Sequence, residues 1–298
     1  RRKRQIGSLE QGNLIHQCLE CVLSSCKNKE EFDKLSRNQI SKIIEKCADD
    51  YFESNMGGVI KRNARLESNL KRIKENIFKI ISHLQNELKQ SEFRPINFEF
   101  NINEKGIANL TGDNGIEIVI RGVIDRVDIY ESNGEKYIRV IDYKTGKKIF
   151  SMSSLLYGIN LQMLLYMFTI TGSGGAYSDC NPAGVLYMPS GEIVCGRDRD
   201  ESDNMEEYLN KHYKMNGVVL NDRAVLNAME KDIQGIYIPA KLLKGDTGDG
   251  ELLLNKRSSS CLTSSQFKKL RQHTEKIIID VCNELYSGNI DADPLVIS

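Results

Sequence analysis

The chain has 298 residues, a formal net charge of zero and 40% hydrophobic residues, enough for a substantial core in one large or two small domains. The neutral balance argues against a protein that binds polyanions over its whole surface, so any such contact has to be local. No apolar run approaches the roughly 20 residues that span a bilayer, and no signal peptide is visible. Eight cysteines without a secretory signal indicate reduced thiols and a cytoplasmic protein.

The first part of the chain, residues 1–92, is predicted to be a helical layer. Apolar residues recur there with the helical period, and the predicted helices span residues 8–26, 36–54 and 60–89. In the third helix the apolar stripe has near-heptad spacing, which favours packing against a neighbouring helix over a coiled coil with a partner. Arg94 and Pro95 end this helical part.

The second part, residues 93–298, is predicted to contain a mixed sheet, and we expect both parts to form one integrated domain. The predicted strands span residues 96–101, 106–110, 116–130, 136–143 and 183–188, and the predicted helices span residues 157–170 and 264–286. Gly288 is expected to close the last helix. Residues 200–244 are predicted to be irregular with short helices, and residues 245–251 to form a mobile loop. Together these elements indicate an α/β sandwich.

A tight turn is predicted between two of the strands. Asn133 and Gly134 suit a type I′ turn, which needs positive φ at both central positions. Cross-strand partners then have numbers that add up to 267, as 133 and 134 do, so Asp125 lies opposite Asp142 with the Cβ atoms about 5 Å apart. Lys144 lies two residues beyond Asp142 and therefore shares its sheet face.

Two directly opposed carboxylates are unfavourable unless something positive lies between them. Asp142 is also flanked by apolar residues, and charges are seldom buried without a partner. A divalent cation satisfies both conditions, because carboxylate oxygens are the ligands that Mg²⁺ prefers. Such an ion can activate water at a phosphodiester, and Lys144 can orient that water and offset developing charge. The simpler alternative for the same residues is a surface salt bridge.

Other acids near this pair are less certain ligands. Asp128 is three residues from Asp125, so it is expected on the other sheet face, as a partner of Arg126 or Arg139 or at a solvated edge. Glu99 interrupts an apolar strand, and the sequence leaves open whether it is a further acid near the metal or an outward-facing strand residue.

Three cysteines near the N-terminus approach a metal-ligand spacing. Cys18, Cys21 and Cys26 follow a Cys-x2-Cys-x4-Cys pattern, but they fall inside an amphipathic helix. This context favours buried thiols over a bound cluster.

The hairpin motifs resemble a known family. Gly-x-Ile-Asp125-Arg-x-Asp, followed by Asp142-Tyr-Lys144-Thr-Gly, resembles the RecB-like branch of the PD-(D/E)xK nuclease superfamily. Segments at 182–189, 215–220 and 288–294 are similar to the C-terminal nuclease domain of AddB/RexB subunits, and the resemblance runs from about residue 8 to residue 294.

Two further motifs carry the same resemblance. His16, on the first predicted helix, matches the upstream helical histidine of RecB-type nucleases, although a satisfied histidine at the rim of a core is the alternative. Glu20 lies one helical turn beyond His16 and is a weaker candidate. Gln162 and Tyr166 match the Gln-x-x-x-Tyr motif of these enzymes. They are expected to hold Lys144 or a DNA phosphate, or otherwise to brace the sheet.

The resemblance implies a restriction-endonuclease-like fold and an Mg²⁺- or Mn²⁺-dependent deoxyribonuclease. It implies metal ligands at Asp125, Asp142 and His16, and a water-positioning role for Lys144. Gln162 and Tyr166, which complete the implied catalytic set, would organise the site.

The resemblance also implies partners, namely single-stranded DNA and an AddA/RexA-like helicase–nuclease subunit in double-strand break repair by homologous recombination, without a membrane. Family members hold a [4Fe–4S] cluster with one cysteine upstream of the histidine helix and three beyond the final proline. We expect those cysteines outside this chain, which begins without Met and is expected to be an excised piece. A catalytically inactive nuclease fold that serves as a DNA-binding or scaffold module is the alternative.

Overall fold

The computed structural model describes residues 6–56, 64–102, 110–112, 115, 117–146, 150–193, 205–246, 248, 250 and 252–289. Four helices come first: α1 (Ser8–Ser24), α2 (Lys29–Asp33), α3 (Arg37–Met56) and α4 (Ala64–Gln90). The long helix α4 contacts α1, α2 and α3, so its apolar stripe packs within this layer, as its spacing predicts. The short helix α2 was not predicted; the Asn28 side chain caps it by accepting a hydrogen bond from the Glu31 backbone.

Six strands form one mixed sheet, and two short strands pair separately. The strands are β1 (Arg94–Asn101), β2 (Leu110–Thr111), β3 (Glu117–Ile118), β4 (Val123–Ser132), β5 (Glu135–Lys144), β6 (Cys180–Pro189), β7 (Asn216–Leu220) and β8 (Cys261–Leu262). The order in the main sheet is β1-β4-β5-β6-β7-β8, and β2 pairs with β3. The pairs β5/β6 and β7/β8 are parallel and the other neighbours are antiparallel.

The remaining helices connect and cover the strands. They are α5 (Met152–Leu156), α6 (Gln162–Ile170), α7 (Met205–Tyr213), α8 (Arg223–Met229) and α9 (Ser264–Tyr286). Helices α5 and α6 lie in the connection between the parallel strands β5 and β6, which need such a crossover. The mixed sheet with flanking helices confirms the predicted fold class. The division at residue 92 stays a prediction.

The predicted turn is present. Asn133 has φ 52° and Gly134 has φ 81°, and the paired residues run from Ser132 with Glu135 to Arg126 with Ile141. Each of these pairs keeps the predicted register. The last helix also has its predicted bounds, and Gly288 follows it with φ 82°.

Several predicted boundaries were wrong. The helix predicted to begin at residue 157 begins at Gln162, because Gly158 and Asn160 have φ of 76° and 64°, outside the helical region. The strand predicted over residues 116–130 is divided into β3 and β4. β6 extends beyond the predicted 183–188 at both ends.

The stretch predicted to be irregular, residues 200–244, contains the buried strand β7 as well as helices α7 and α8 within its described part. Residues 103–109, which hold most of the strand predicted at 106–110, lie outside the described residues, as do parts of the loop predicted at 245–251. None of the described helices is long and apolar enough to cross a membrane.

Candidate active site

The two predicted acids lie at the point where the β4–β5 ladder opens. The last paired residues are Arg126 and Ile141, and beyond them the Tyr143 backbone N–H donates to Asp125 Oδ2 at 2.7 Å. The Asp125 carboxylate thus accepts a hydrogen bond from the backbone of β5. Burial raises the pKa of Asp142, and the negative charge of Asp125 raises it further. The two carboxylates are therefore close enough to repel each other.

Lys144 pairs with the second acid. Its Nζ lies 2.9 Å from Oδ1 and 2.6 Å from Oδ2 of Asp142, and it opposes the rise in the pKa of that carboxyl. The Lys144 side chain is 32% exposed while that of Asp142 is 9% exposed, so the ammonium is open to solvent and its partner is not. In this position the Lys144 ammonium can reach a substrate that arrives from solvent. Its hydrogen bond to the buried Asp142 carboxylate fixes its orientation.

His16 joins the site from helix α1. Its Nε2 lies 2.8 Å from the Tyr143 carbonyl oxygen, and its Nδ1 lies 3.4 Å from Asp125 Oδ2. Burial opposes protonation of the imidazole, but the hydrogen bond and the charge of Asp125 outweigh it and raise the pKa of His16. The structure therefore brings His16 to the acids, and its role as a metal ligand stays a prediction.

Glu99 is the acid that the sequence left open, and the structure brings it into the site. Strand β1 pairs with β4 so that Phe98 faces Arg126 and Phe100 faces Ile124, which leaves Glu99 level with Asp125. Glu99 has φ 44°, an uncommon value for a residue other than glycine. Partial desolvation and the neighbouring charge of Asp125 raise the pKa of Glu99 to about 7.

Three side chains converge closely enough to share one ion. One ligand atom each of His16, Glu99 and Asp125 lies within 4.8 Å of the others. Asp142 is coupled to Asp125 by charge but falls outside this closest trio, and its carboxylate is hydrogen-bonded to Lys144.

The donor set fits a divalent cation. Three carboxyl groups meet one ammonium, and burial, followed by the negative charge of Asp125, raises the pKa of both Glu99 and Asp142. A predominance of carboxylate oxygens suits Mg²⁺ or Mn²⁺.

Gln162 and Tyr166 lie one helical turn apart on helix α6. The Gln162 Nε2 donates to the Tyr166 hydroxyl at 3.0 Å. A Cβ added at Gly122 would lie 2.1 Å from that hydroxyl, so the tyrosine packs directly on the backbone that leads into Asp125. Among the described residues, neither side chain hydrogen-bonds to Lys144, contrary to one expectation. Their catalytic assignment stays a prediction.

The other polar residues singled out have different surroundings. Asp128 lies on the opposite sheet face and is bonded to Arg126 and Arg139, as strand alternation predicts. Burial raises the pKa of Cys21 to about 12, which keeps a thiol protonated and makes it a poor metal ligand. Within the described part of the chain, the one group of metal-ligand side chains found close together is that of His16, Glu99 and Asp125.

Comparison with known proteins gives the same family. A family model described as PD-(D/E)XK nuclease superfamily matches residues 1–295. Proteins named as the B-type subunit of an ATP-dependent helicase/deoxyribonuclease are similar to the chain: 30% identical over 98% of it in Acetivibrio thermocellus, 32% over 95% in Clostridium novyi and 27% over 95% in Clostridium acetobutylicum.

The chain spans about a quarter of the length of these relatives, at 26%, 25% and 25% respectively. Their shared name confirms the likeness to AddB/RexB-type proteins that the motifs predicted. The match runs along nearly the whole chain, and the mixed sheet with flanking helices agrees with it. The chain belongs to the PD-(D/E)XK nuclease superfamily.

Proposed function

We propose that this chain is a metal-dependent deoxyribonuclease domain that hydrolyses phosphodiester bonds of single-stranded DNA. The observation that carries the proposal is the convergence of His16, Glu99 and Asp125 beside the Asp142–Lys144 pair. A salt bridge between Asp142 and Lys144 alone would require neither the two further acids nor the histidine beside it.

The residues divide into those that would hold an ion and those that would act on substrate and water. Glu99, Asp125 and His16 would bind Mg²⁺ or Mn²⁺, with Asp142 beside them. When bound, such an ion polarises the phosphodiester and lowers the pKa of a coordinated water. Lys144 orients the attacking water and stabilises the charge that develops on the phosphate oxygens as the P–O bond breaks.

Asp142 has a second role that follows from its contacts. It is buried, and its two carboxylate oxygens lie 2.9 and 2.6 Å from Lys144 Nζ, so it fixes where the ammonium points. The Tyr143 backbone in turn holds Asp125 and His16. The protein therefore supplies a preformed arrangement that substrate enters without reorganising the acids.

The wider role proposed for the chain rests on its relatives. Their printed name joins a helicase to a deoxyribonuclease. We propose that this domain cuts strands delivered by an AddA/RexA-like helicase–nuclease subunit, in the cytoplasm, during recombinational repair of double-strand breaks. The [4Fe–4S] cluster would belong to the full-length protein.

The test is cleavage of end-labelled single-stranded DNA by the 298-residue chain in Mg²⁺ or Mn²⁺. Asp125→Ala and Lys144→Ala should lower the rate by about a hundredfold or more, because each removes a charge that acts in the transition state. Asp179→Ala is the matched control, since Asp179 also pairs with a lysine, Lys136, but at an exposed position. Cutting by both site variants at the wild-type rate would refute the assigned site, whereas binding of DNA without cutting by the wild-type chain would favour an inactive DNA-binding module.

A further inference from the structure

We propose that Tyr143 is a positioning residue: a buried ion cluster behind the sheet holds its ring, and its backbone thereby fixes Asp125 and His16 for metal binding. The inference rests on the proposed metal-dependent function. It concerns residues on the sheet face that points away from the acids. The family motifs assign no metal-binding or catalytic role to these residues.

The buried ion cluster consists of Glu87 on α4, Arg126 and Asp128 on β4, and Arg139 on β5. Each of these side chains is at most 1% exposed. Arg126 donates from Nε and Nη2 to the two oxygens of Asp128, both at 2.8 Å. Arg139 donates to Asp128 at 2.8 Å and to Glu87 at 2.6 Å. Two positive and two negative groups balance, and each charge is paired with one of opposite sign within the cluster.

Arg126 connects this cluster to Tyr143. Its third nitrogen, Nη1, donates to the Tyr143 hydroxyl at 3.3 Å. The register places the two residues diagonally on neighbouring strands, on the sheet face opposite the acids. Because the bidentate contact with Asp128 fixes the plane of the guanidinium, Nη1 has little freedom to follow a moving ring. The tyrosine is itself only 4% exposed, so its ring has few alternative positions.

Tyr143 transmits this constraint through its backbone. Its N–H donates to Asp125 Oδ2 at 2.7 Å, and its carbonyl oxygen lies 2.8 Å from His16 Nε2. The residue also stands between Asp142 and Lys144 in the chain. A rotation of the Tyr143 backbone therefore displaces Asp125 and His16, two of the proposed metal ligands. It also displaces the neighbouring Asp142–Lys144 pair. Side chains that orient metal-binding residues in this way commonly tune metal affinity.

Tyr143→Phe tests the inference because it removes one oxygen and keeps the ring. Tyr213→Phe is the matched control: Tyr213 is also buried, and its hydroxyl donates to Asn76 at 3.1 Å, away from the acids. The 298-residue chain, the two variants and Asp125→Ala are titrated with Mn²⁺ by calorimetry, and melting temperatures are recorded alongside.

Tyr143→Phe should weaken Mn²⁺ binding roughly tenfold, while Tyr213→Phe should leave it unchanged. In cleavage assays Tyr143→Phe should lower kcat without raising KM for DNA, because it disturbs the acids and leaves DNA contacts in place. A purely structural role would lower the melting temperatures of both variants alike and leave Mn²⁺ affinity intact.

The two proposals fail in distinguishable ways. Wild-type Mn²⁺ affinity in Tyr143→Phe, with binding still lost in Asp125→Ala, would overturn the positioning role and leave the nuclease proposal standing. A wild-type chain that neither binds Mn²⁺ nor cuts DNA would overturn both. Equal weakening by Tyr143→Phe and Tyr213→Phe would also overturn the positioning role, since the effect would then be one of general stability.

Discussion

Glu99 makes the charge of the site sensitive to pH near neutrality. Partial desolvation and Asp125 raise the pKa of this carboxyl from 4.5 to about 7, so the folded chain holds the proton more tightly than the unfolded chain does. The resulting contribution to stability is full below about pH 4.5 and is lost as the pH rises through about 7. A bound cation reverses this preference, because it stabilises the ionised carboxylate.

At the residue scale, Glu99→Gln should reduce the slope of Mn²⁺ affinity against pH across the neutral range, and protonation of His16, whose pKa is raised by Asp125, accounts for the slope that remains. In the wild-type chain the affinity should rise as Glu99 loses its proton at about pH 7, whereas glutamine is neutral throughout. Calorimetric titrations at several pH values on either side of neutrality measure the slope. Glu131→Gln, at an exposed acid paired with Arg94, is the control and should keep the wild-type slope. An unchanged slope in Glu99→Gln would show that this carboxyl does not bind the ion.

Sequence predicted the hairpin acids better than it predicted Glu99. The positions of Asp125, Asp142 and Lys144 depend on a two-residue turn, a local signal that fixes strand register. Glu99 is level with Asp125 only because β1 pairs with β4, and that pairing joins segments with no tight turn between them. His16 was predicted as a site residue from a family resemblance, because no local sequence pattern indicates that its helix contacts the sheet beside the acids.

At the element scale, Tyr166 of helix α6 packs against the backbone at Gly122, the residue before β4. The Tyr166 ring occupies the space that a side chain at Gly122 would need, with its hydroxyl 2.1 Å and its Cζ 2.2 Å from a Cβ built there. Only a residue without a side chain allows this approach, so the Tyr166 ring can pack directly on the backbone that leads into the strand carrying Asp125.

Gly122→Ala should therefore destabilise the fold by about 1–3 kcal/mol, because the added methyl group clashes with the Tyr166 ring. Urea denaturation measures the loss. Gly146→Ala is the matched control: among the described residues other than its chain neighbours, no atom lies within 4 Å of a Cβ built at Gly146, and the change should be nearly neutral. In the double variant with Tyr166→Ala, the two losses should be less than additive, because the ring that the added methyl group meets is gone. Additive losses in the double variant would contradict the proposed contact.

The element boundaries that sequence missed have local causes. Strand β7 is only five residues long and includes Gly217, at φ 141°, where a Cβ would lie 2.1 Å from the Val185 carbonyl oxygen. Short strands that contain glycine carry a weak periodic signal, so only their packing beside β6 identifies them. Helix α6 starts late because a turn with two positive φ values precedes it, although its residues are largely apolar.

At the scale of the whole molecule, the buried ion cluster joins the helical layer to the sheet. Glu87 belongs to α4, while its partners Arg126 and Arg139 belong to β4 and β5. Burial alone would raise the pKa of Asp128, but the two guanidinium groups outweigh it and lower that pKa. The stability from this lowered pKa is present above the unfolded-state value of about 3.8 and is lost as the pH falls through the folded-state value.

Asp128→Asn should cost about 3–5 kcal/mol of unfolding free energy at neutral pH, because it leaves two buried arginines with one acid. Urea denaturation at neutral pH measures the loss, and Asp33→Asn provides the control. Asp33 pairs with Lys89 at the surface, and the loss of this ion pair should lower the unfolding free energy by about 1 kcal/mol or less. Equal effects of the two changes would show that the cluster does not hold the layers together.

The most direct test of the central claim is the anomalous scattering of Mn²⁺ in crystals of the chain. The account predicts an ion contacting Asp125, Glu99 and His16, next to Asp142 and Lys144, and predicts that Asp125→Ala removes it. An ion bound at a different place, or an Mn²⁺ peak that survives Asp125→Ala unchanged, would contradict the account.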